Sequence, residues 1–347
     1  MARTLPTFII AALLAIGACS PPADGQPSAM ERPFADPGGF AVQITVDHWV
    51  DAARDRRLPV KIYSPDGEGV FPVVIFSHGL GGSREAAPYL GRHLASWGMI
   101  AVHIQHPGSD EAVWAGQRAD GRSAIMRALR QATRNPATTI NRFTDIPFVV
   151  DEIERRASSG RLAADAGRIG IAGHSFGAHT VIAAAGFQFN TPRGVRTFEE
   201  PRILAGAALS PPAPNARMQE SDYPTLYGSI DIPILHLTGT DDGNPLNPDA
   251  PPSDRLIAFQ QIAGAPQYLI VFDGGDHSVF SGRAMARRAA PDWYPAVQAA
   301  TAEAVAAFFL ATLTEDASAQ AFIDGPGFVA AFDPLADVDR RRVPSAP

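Results

Sequence analysis

This chain has few means of cross-linking itself and little concentrated charge. Its 347 residues include one cysteine, Cys19, so no internal disulfide can form. No run of lysine and arginine is long enough to suggest nucleic acid, and the formal charge is −7 with a pI near 5.7. That acidic balance argues against nucleic acid as a partner. The sequence has no dinucleotide fingerprint, no P-loop and no internal repeat. Asp241, Asp242 and His106 do not form a recognisable metal-ligand spacing, so neither metal nor cofactor is expected. The apolar run Thr7 to Ala18 is too short to span a bilayer comfortably. What remains is an ordinary globular composition, 46% hydrophobic and 19% charged. Its length allows one large α/β domain or two small ones, with a sizeable buried core.

Arg3 ahead of Thr7–Ala18 has the layout of an export signal. Ile16-Gly17-Ala18-Cys19 resembles a bacterial lipobox: an aliphatic residue, two small ones, then cysteine. The resemblance implies that residues 1–18 are a lipoprotein signal peptide and that Cys19 carries thioether-linked diacylglycerol. Two or more acyl chains anchor stably where one does not. Lipidation also accounts for the solitary cysteine, because an idle thiol is unwelcome in an oxidising compartment. An ordinary signal peptide cut elsewhere is the alternative. Ser20 resembles the sorting residue of outer-membrane lipoproteins, which implies an outer-membrane location facing the periplasm or cell surface. Residues 19–39 are rich in Pro, Gly, Ala and Ser and read as a flexible tether. The globular domain is expected over 40–313.

Within it, Phe40–Val46 alternates and is expected to pair with Leu58–Tyr63 as an antiparallel edge. Phe71–Ser77, Met99–Ile104, Ile169–Ala172, Ile203–Leu209, Ile232–Thr238 and Gln267–Phe272 are continuous apolar runs, as strands covered on both faces should be. Helical patterns separate them, over Glu85–Trp97, Thr139–Ala157, Pro251–Ile262 and the Ala-rich Pro291–Leu313. Strands alternating with helices predict a mostly parallel sheet of about eight strands. Residues 111–138 are too long for a short crossover. They contain Trp114 and a basic stretch, Ser123–Arg134, and read as a helical insertion able to form a lid or pocket wall. Residues 314–347 read as a terminal appendage and tail.

The chain is organised around Arg168–Ala185, where a short strand leads into Gly173-His174-Ser175-Phe176-Gly177 and then a helix. This G-x-S-x-G in a strand–turn–helix setting is what a nucleophile elbow requires. A serine hydroxyl is a poor nucleophile unless a base lies within hydrogen-bond reach and a third group orients that base. His277, in the loop after the last strand, is the candidate base. His174 and His179 are sequence neighbours of the serine, poorly placed to face its hydroxyl, and His78 and His106 sit at strand ends where they would shape the site. The acid should follow Ile232–Thr238; Gly239-Thr240-Asp241-Asp242 offers Asp242, with Asp241 as the alternative. Backbone N–H groups of Phe176 and Leu80, the latter in the Gly-rich His78–Gly82 loop, are the candidate oxyanion donors. Trp114 and Phe280 could line the pocket or pack in the core.

FSHGLGGSR, HLASWGMIAVHIQHPGSD and RIGIAGHSFGAHTVI together resemble the plasma-type platelet-activating factor acetylhydrolases. They also resemble the bacterial hydrolases often grouped with dienelactone hydrolases. The resemblance covers roughly residues 70 to 285 in motif order and implies the α/β-hydrolase fold. It also implies oxyanion donors at the Leu80 and Phe176 positions. Two departures matter. The acetylhydrolases carry their acid after the strand that here is Ile203–Leu209, where this chain has Ser210-Pro211-Pro212. Dienelactone hydrolase itself uses a cysteine nucleophile, whereas this elbow has Ser175. The expected activity is therefore hydrolysis of carboxylic esters through an acyl-serine. The expected substrates are short-acyl esters or acetylated and oxidised phospholipid-like esters, with membrane contact through the N-terminal lipid. A polyester hydrolase, a serine peptidase of the same fold, or a silent binding lipoprotein are the alternatives.

Overall fold

The computed structural model describes residues 32–214, 219–282 and 291–343. The expected signal peptide, Cys19 and the tether up to residue 31 lie outside the described residues.

The chain opens with two long strands, β1 (Ala41–Asp51) and β2 (Arg56–Asp66), paired antiparallel. Next come β3 (Phe71–Ser77), helix α1 (Pro88–Ser96) and β4 (Ile100–Ile104). Every residue of β3 and β4 is buried, which matches their unbroken apolar sequence. The expected insertion folds as a short helix α2 (Ala112–Ala115) and helix α3 (Gly121–Arg134). Helix α4 (Pro136–Ser158) follows; Asn135 caps it by accepting from the Ala137 N–H, and it continues through Pro147. Then come β5 (Ala164–His174) and α5 (Phe176–Ala184). A small hairpin, β6 (Gln188–Thr191) and β7 (Gly194–Thr197), precedes β8 (Ile203–Leu209). After helix α6 (Tyr223–Tyr227), β9 (Ile234–Asp241), α7 (Ile257–Gln261) and β10 (Gln267–Asp276) complete the alternation. The chain ends with α8 (Tyr294–Thr314), α9 (Ala317–Asp324), α10 (Pro326–Phe332) and β11 (Ala336–Arg341).

The nine-stranded sheet runs β1-β2-β4-β3-β5-β8-β9-β10-β11. The segment from β4 to β10 is parallel, and antiparallel pairs close both edges. One face carries α1, α8, α9 and α10, with Leu90, Phe308, Phe309 and Phe328 buried in it. The other is packed by α4 and α5 through residues such as Ile146, Val149 and Val181. Helix α8 is long and apolar enough to cross a membrane by length and composition, but 78% of that stretch is buried, and it serves here as a core helix. The order places β3 between β4 and β5, so the chain winds outward in both directions from β3. Ligands of open α/β sheets bind at the carboxyl ends of the strands where the winding reverses. Ser77 of β3 lies level with Gly173 of β5. The His78–Gly82 loop and Ser175 therefore emerge side by side.

Three stretches fold differently from their sequence reading. Residues 32–39, at the end of the expected tether, pack on the domain. Phe34 is buried against Trp97 and Phe322, and Arg32 Nε donates to Glu303 at 3.0 Å. The expected appendage after residue 313 supplies part of one core layer through Phe322, Phe328 and Phe332, and adds the ninth strand. The β6–β7 hairpin has no counterpart in the sequence pattern; its strands are short and half-buried or exposed, so no hydrophobic run marks them.

Candidate active site

Ser175 stands between β5 and α5 with φ 57° and ψ −114°. A non-glycine residue held there costs about 1–3 kcal/mol, which surrounding structure must offset. The flanking glycines show why the turn is so tight. A Cβ on Gly177 would lie 1.8 Å from the Ser77 carbonyl oxygen, and one on Gly173 would lie 2.4 Å from the Gly177 carbonyl oxygen. No side chain fits at either position, so the pentapeptide's spacing is set by backbone meeting backbone.

The His277 ring lies beside the serine: Nε2 is 2.9 Å from Ser175 Oγ, and Nδ1 is 2.8 Å from Asp242 Oδ1. Asp242 follows β9 and is fully buried. Its other oxygen accepts from Thr238 Oγ1 at 2.8 Å and from the Ser210 hydroxyl. Burial alone would raise the Asp242 pKa; the bond to His277, the charges of His277 and Arg255, and the Ser210 bond outweigh it and bring it to about 2. Asp242 is thus a carboxylate at neutral pH, able to hold the imidazole with its proton on Nδ1. Asp241 points outward and is exposed at the cleft. Ser210, directly after β8, thus donates its hydroxyl to the residue directly after β9.

Two supports of this arrangement were not read from the sequence. Arg255, buried, sits with Nε 3.3 Å from Asp242 Oδ1 and donates to the Asp242 and Gly243 carbonyls at 3.2 Å each. His174 places Nε2 2.8 Å from the His277 carbonyl oxygen, fixing the backbone of His277. Burial depresses the His174 pKa to about 3, so its ring is neutral and can donate that bond. A lone arginine in a polar stretch carries no sequence signal. His174 had one, its place beside the serine, but its partner lies 103 positions away.

The His78–Gly82 loop passes Ser175 closely: a Cβ on Gly79 would lie 3.4 Å from Ser175 Cβ. Among the described residues, no acceptor takes the N–H of Leu80 or of Phe176. The loop is held from outside by Trp114 Nε1, which donates to the Gly81 carbonyl at 2.8 Å, and by the Gly81 N–H, which donates to Ser109. From beneath, the buried Arg142 donates to the His78 carbonyl at 2.6 Å and to Ser77 Oγ at 3.0 Å. Its guanidinium also lies 4.6 Å over the Phe176 ring. Ser77 Oγ in turn is 3.0 Å from His106 Nε2, and His106 Nδ1 is 2.9 Å from Asp145 Oδ2. Ser77, His106 and Asp145 thus repeat the serine–histidine–aspartate chain of bonds, but all are fully buried. No substrate reaches them, and they brace the loop. Burial, then the Arg142 charge, lowers the His106 pKa to about 4, so this ring stays neutral.

Ser175 and His277 open into a cleft of about 2460 Å³. Trp114 and helix α3 form one wall, and Phe143, Phe187, Phe189 and Phe198 line another side. Phe280, a candidate pocket residue, is instead fully buried against Phe272. His179 faces the cleft among the phenylalanines, 5.1 Å from the Phe143 ring.

Residues 52–127 are similar to the family described as platelet-activating factor acetylhydrolase, isoform II. The matched segment runs from the turn between β1 and β2 into α3 and includes the His78–Gly82 loop; it stops before Ser175. No curated protein matches the chain at a significant level. The match and the mostly parallel α/β sheet fit the α/β-hydrolase superfamily and support a hydrolase.

Proposed function

We propose that this protein is a serine carboxylic-ester hydrolase. The observation that carries the reading is the bonded chain from Ser175 through His277 to Asp242, next to two unclaimed N–H groups. Ser175 Oγ attacks the ester carbonyl carbon and passes its proton to His277 Nε2. The carbonyl oxygen becomes an oxyanion facing the N–H groups of Leu80 and Phe176; one such donor is worth about 3 kcal/mol of barrier. The carbon–alkoxide bond then breaks, and His277 returns the proton to the departing alcohol. Water, deprotonated by His277, attacks the acyl-serine, and the same steps run in reverse order to free Ser175 and the carboxylic acid. Asp242 stays ionised throughout and stabilises the imidazolium. The large cleft with its phenylalanine wall supports short-acyl esters joined to a bulky alcohol, including phospholipid-like esters. The lipobox-like segment supports a lipid anchor at Cys19.

The test is covalent labelling by a fluorophosphonate, with hydrolysis of p-nitrophenyl esters from acetate to palmitate alongside. The wild type should label and turn over the shorter esters, and Ser175→Ala should do neither. A folded wild type that does not label, or a Ser175→Ala protein that retains turnover, overturns the reading. For the anchor, incorporation of radiolabelled palmitate should vanish in Cys19→Ser.

A further inference from the structure

The cleft carries a charge that its chemistry does not use. Arg118 and Arg122, from the insertion, and Arg193 and Arg196, from the β6–β7 hairpin, line the same cavity as Ser175. All four are exposed, and among the described residues none has an ion-pair partner. Outside the cleft, Arg54, Arg56, Arg155, Arg156, Arg168 and Arg202 meet carboxylates, whereas the exposed Arg57, Arg92 and Arg161 stand apart from one another on other surfaces. Acidic residues outnumber Lys and Arg by 36 to 29, so unpaired guanidinium groups gathering at one cleft run against the overall charge. The acidic residues lining the cleft are Asp241 and Asp276, and Asp276 is already engaged by Tyr294 and Ser278.

We infer that the substrate of this site is an ester bearing a separate anionic group, a carboxylate, phosphate or sulfate, beside an apolar portion. The inference rests on the hydrolase reading for the reaction and on the arginines for the charge. The apolar portion lies against Phe143, Phe189 and Phe198, whose rings stand 5.1 to 5.6 Å apart. The anionic group meets the guanidinium rim, where the planar fork of donors suits oxyanions and low-dielectric walls concentrate the field. Arg118 stacks 4.7 Å over Trp114, whose indole holds Gly81, so the insertion's share of this charge stands next to the oxyanion loop. The anionic group could belong to a dispersed small ester or to a lipid headgroup.

The experiment compares the anionic p-nitrophenyl hemiglutarate with the neutral p-nitrophenyl valerate. The proteins are the wild type, Arg118→Gln/Arg122→Gln and Arg193→Gln/Arg196→Gln. The ratio of kcat/KM for the anionic over the neutral ester should fall about 10-fold in each double variant, and added salt should lower the wild-type ratio. A ratio unchanged by both substitutions and by salt overturns the inference. A second measurement does not depend on turnover: calorimetric binding of hexyl phosphate to Ser175→Ala, with and without the arginine substitutions. Weaker binding after substitution supports the rim as an anion site, and equal binding sinks it. A wild type inert toward both esters would remove the hydrolase reading, and the calorimetry would then decide the anion site alone. Vesicles distinguish the sources: faster turnover of phosphatidylglycerol than phosphatidylcholine vesicles assigns a headgroup, while turnover of the hemiglutarate only assigns a dispersed ester.

Discussion

Arg142 touches both halves of the proposed oxyanion hole. It donates to the His78 carbonyl at 2.6 Å, two residues before Leu80, and lies 4.6 Å over the ring of Phe176. It does not reach the reacting atoms, so it is a positioning residue. Its loss would let the two N–H groups drift apart, and misplacing one donor removes transition-state stabilisation more than ground-state binding. Arg142→Ala should therefore lower kcat about 100-fold with a smaller change in KM. Arg142→Lys, which can still reach the His78 carbonyl, should recover part of it. A merely structural role would instead lower the active fraction measured by fluorophosphonate titration and leave kcat per labelled site intact.

Asp242 makes a prediction about both rate and acid stability. Asp242→Asn should lower kcat about 10³–10⁴-fold, because an amide cannot hold the imidazole in the required tautomer. The folded protein holds this carboxyl at about 2, below its ordinary 3.8. A depressed acid pKa means that the fold favours the ionised form, so its contribution to stability is complete above the ordinary value. That contribution is lost as pH falls from there toward about 2. The stability difference between wild type and Asp242→Asn, read by urea denaturation, should shrink on acidification through that window. A constant difference would refute it.

Gly177→Ala tests the reason for the second glycine of the pentapeptide. The new methyl would collide with the Ser77 carbonyl at 1.8 Å, backbone against side chain, with no rotamer to escape through. Overpacking of this kind costs about 1–3 kcal/mol or more. Displacing β3 from α5 also moves the oxyanion loop, so both the melting temperature and kcat should fall. Gly116→Ala, with no atom within 4 Å of the added Cβ, is the control and should leave the melting temperature nearly unchanged.

Arg32 ties the segment before β1 to the core through Glu303. Glu303 is fully buried, with Oε1 lacking a hydrogen-bond partner among the described residues. Burial raises its pKa, and the Arg32 bond and charge lower it only in part. A raised acid pKa means that the folded state binds more protons, so this group's effect on stability worsens as pH rises above its unfolded value. Arg32→Ala removes the compensating cation. Its melting-temperature deficit should be larger at alkaline than at mildly acidic pH, and Glu303→Gln should abolish that dependence. Equal deficits at both pH values would show that the pair carries no buried charge.

Sequence pattern was enough to mark the sheet's central strands and the strand–turn–helix around Ser175. β3 and β8 begin and end where their apolar runs do, because a strand covered on both faces must be apolar throughout. Ser175, His277, the Asp241–Asp242 pair and the His78–Gly82 loop were legible as candidates because each sits at a strand end, where an α/β sheet presents its chemistry. Elements whose stability comes from pairing rather than from their own pattern were not legible. β11 carries four charged residues in six and exists because β10 offers an edge. Phe34 lies in a Pro- and Gly-rich stretch and is buried only because Trp97 and Phe322 meet it. Tertiary structure alone decided that Asp242 rather than Asp241 meets His277, since burial and ring orientation belong to no local sequence. It also decided that Ser210 and Arg255 support that acid, that Arg142 braces the oxyanion loop, and that arginines more than 70 residues apart line one cleft. These are contacts between distant segments, and sequence pattern reports only what a segment does with its neighbours.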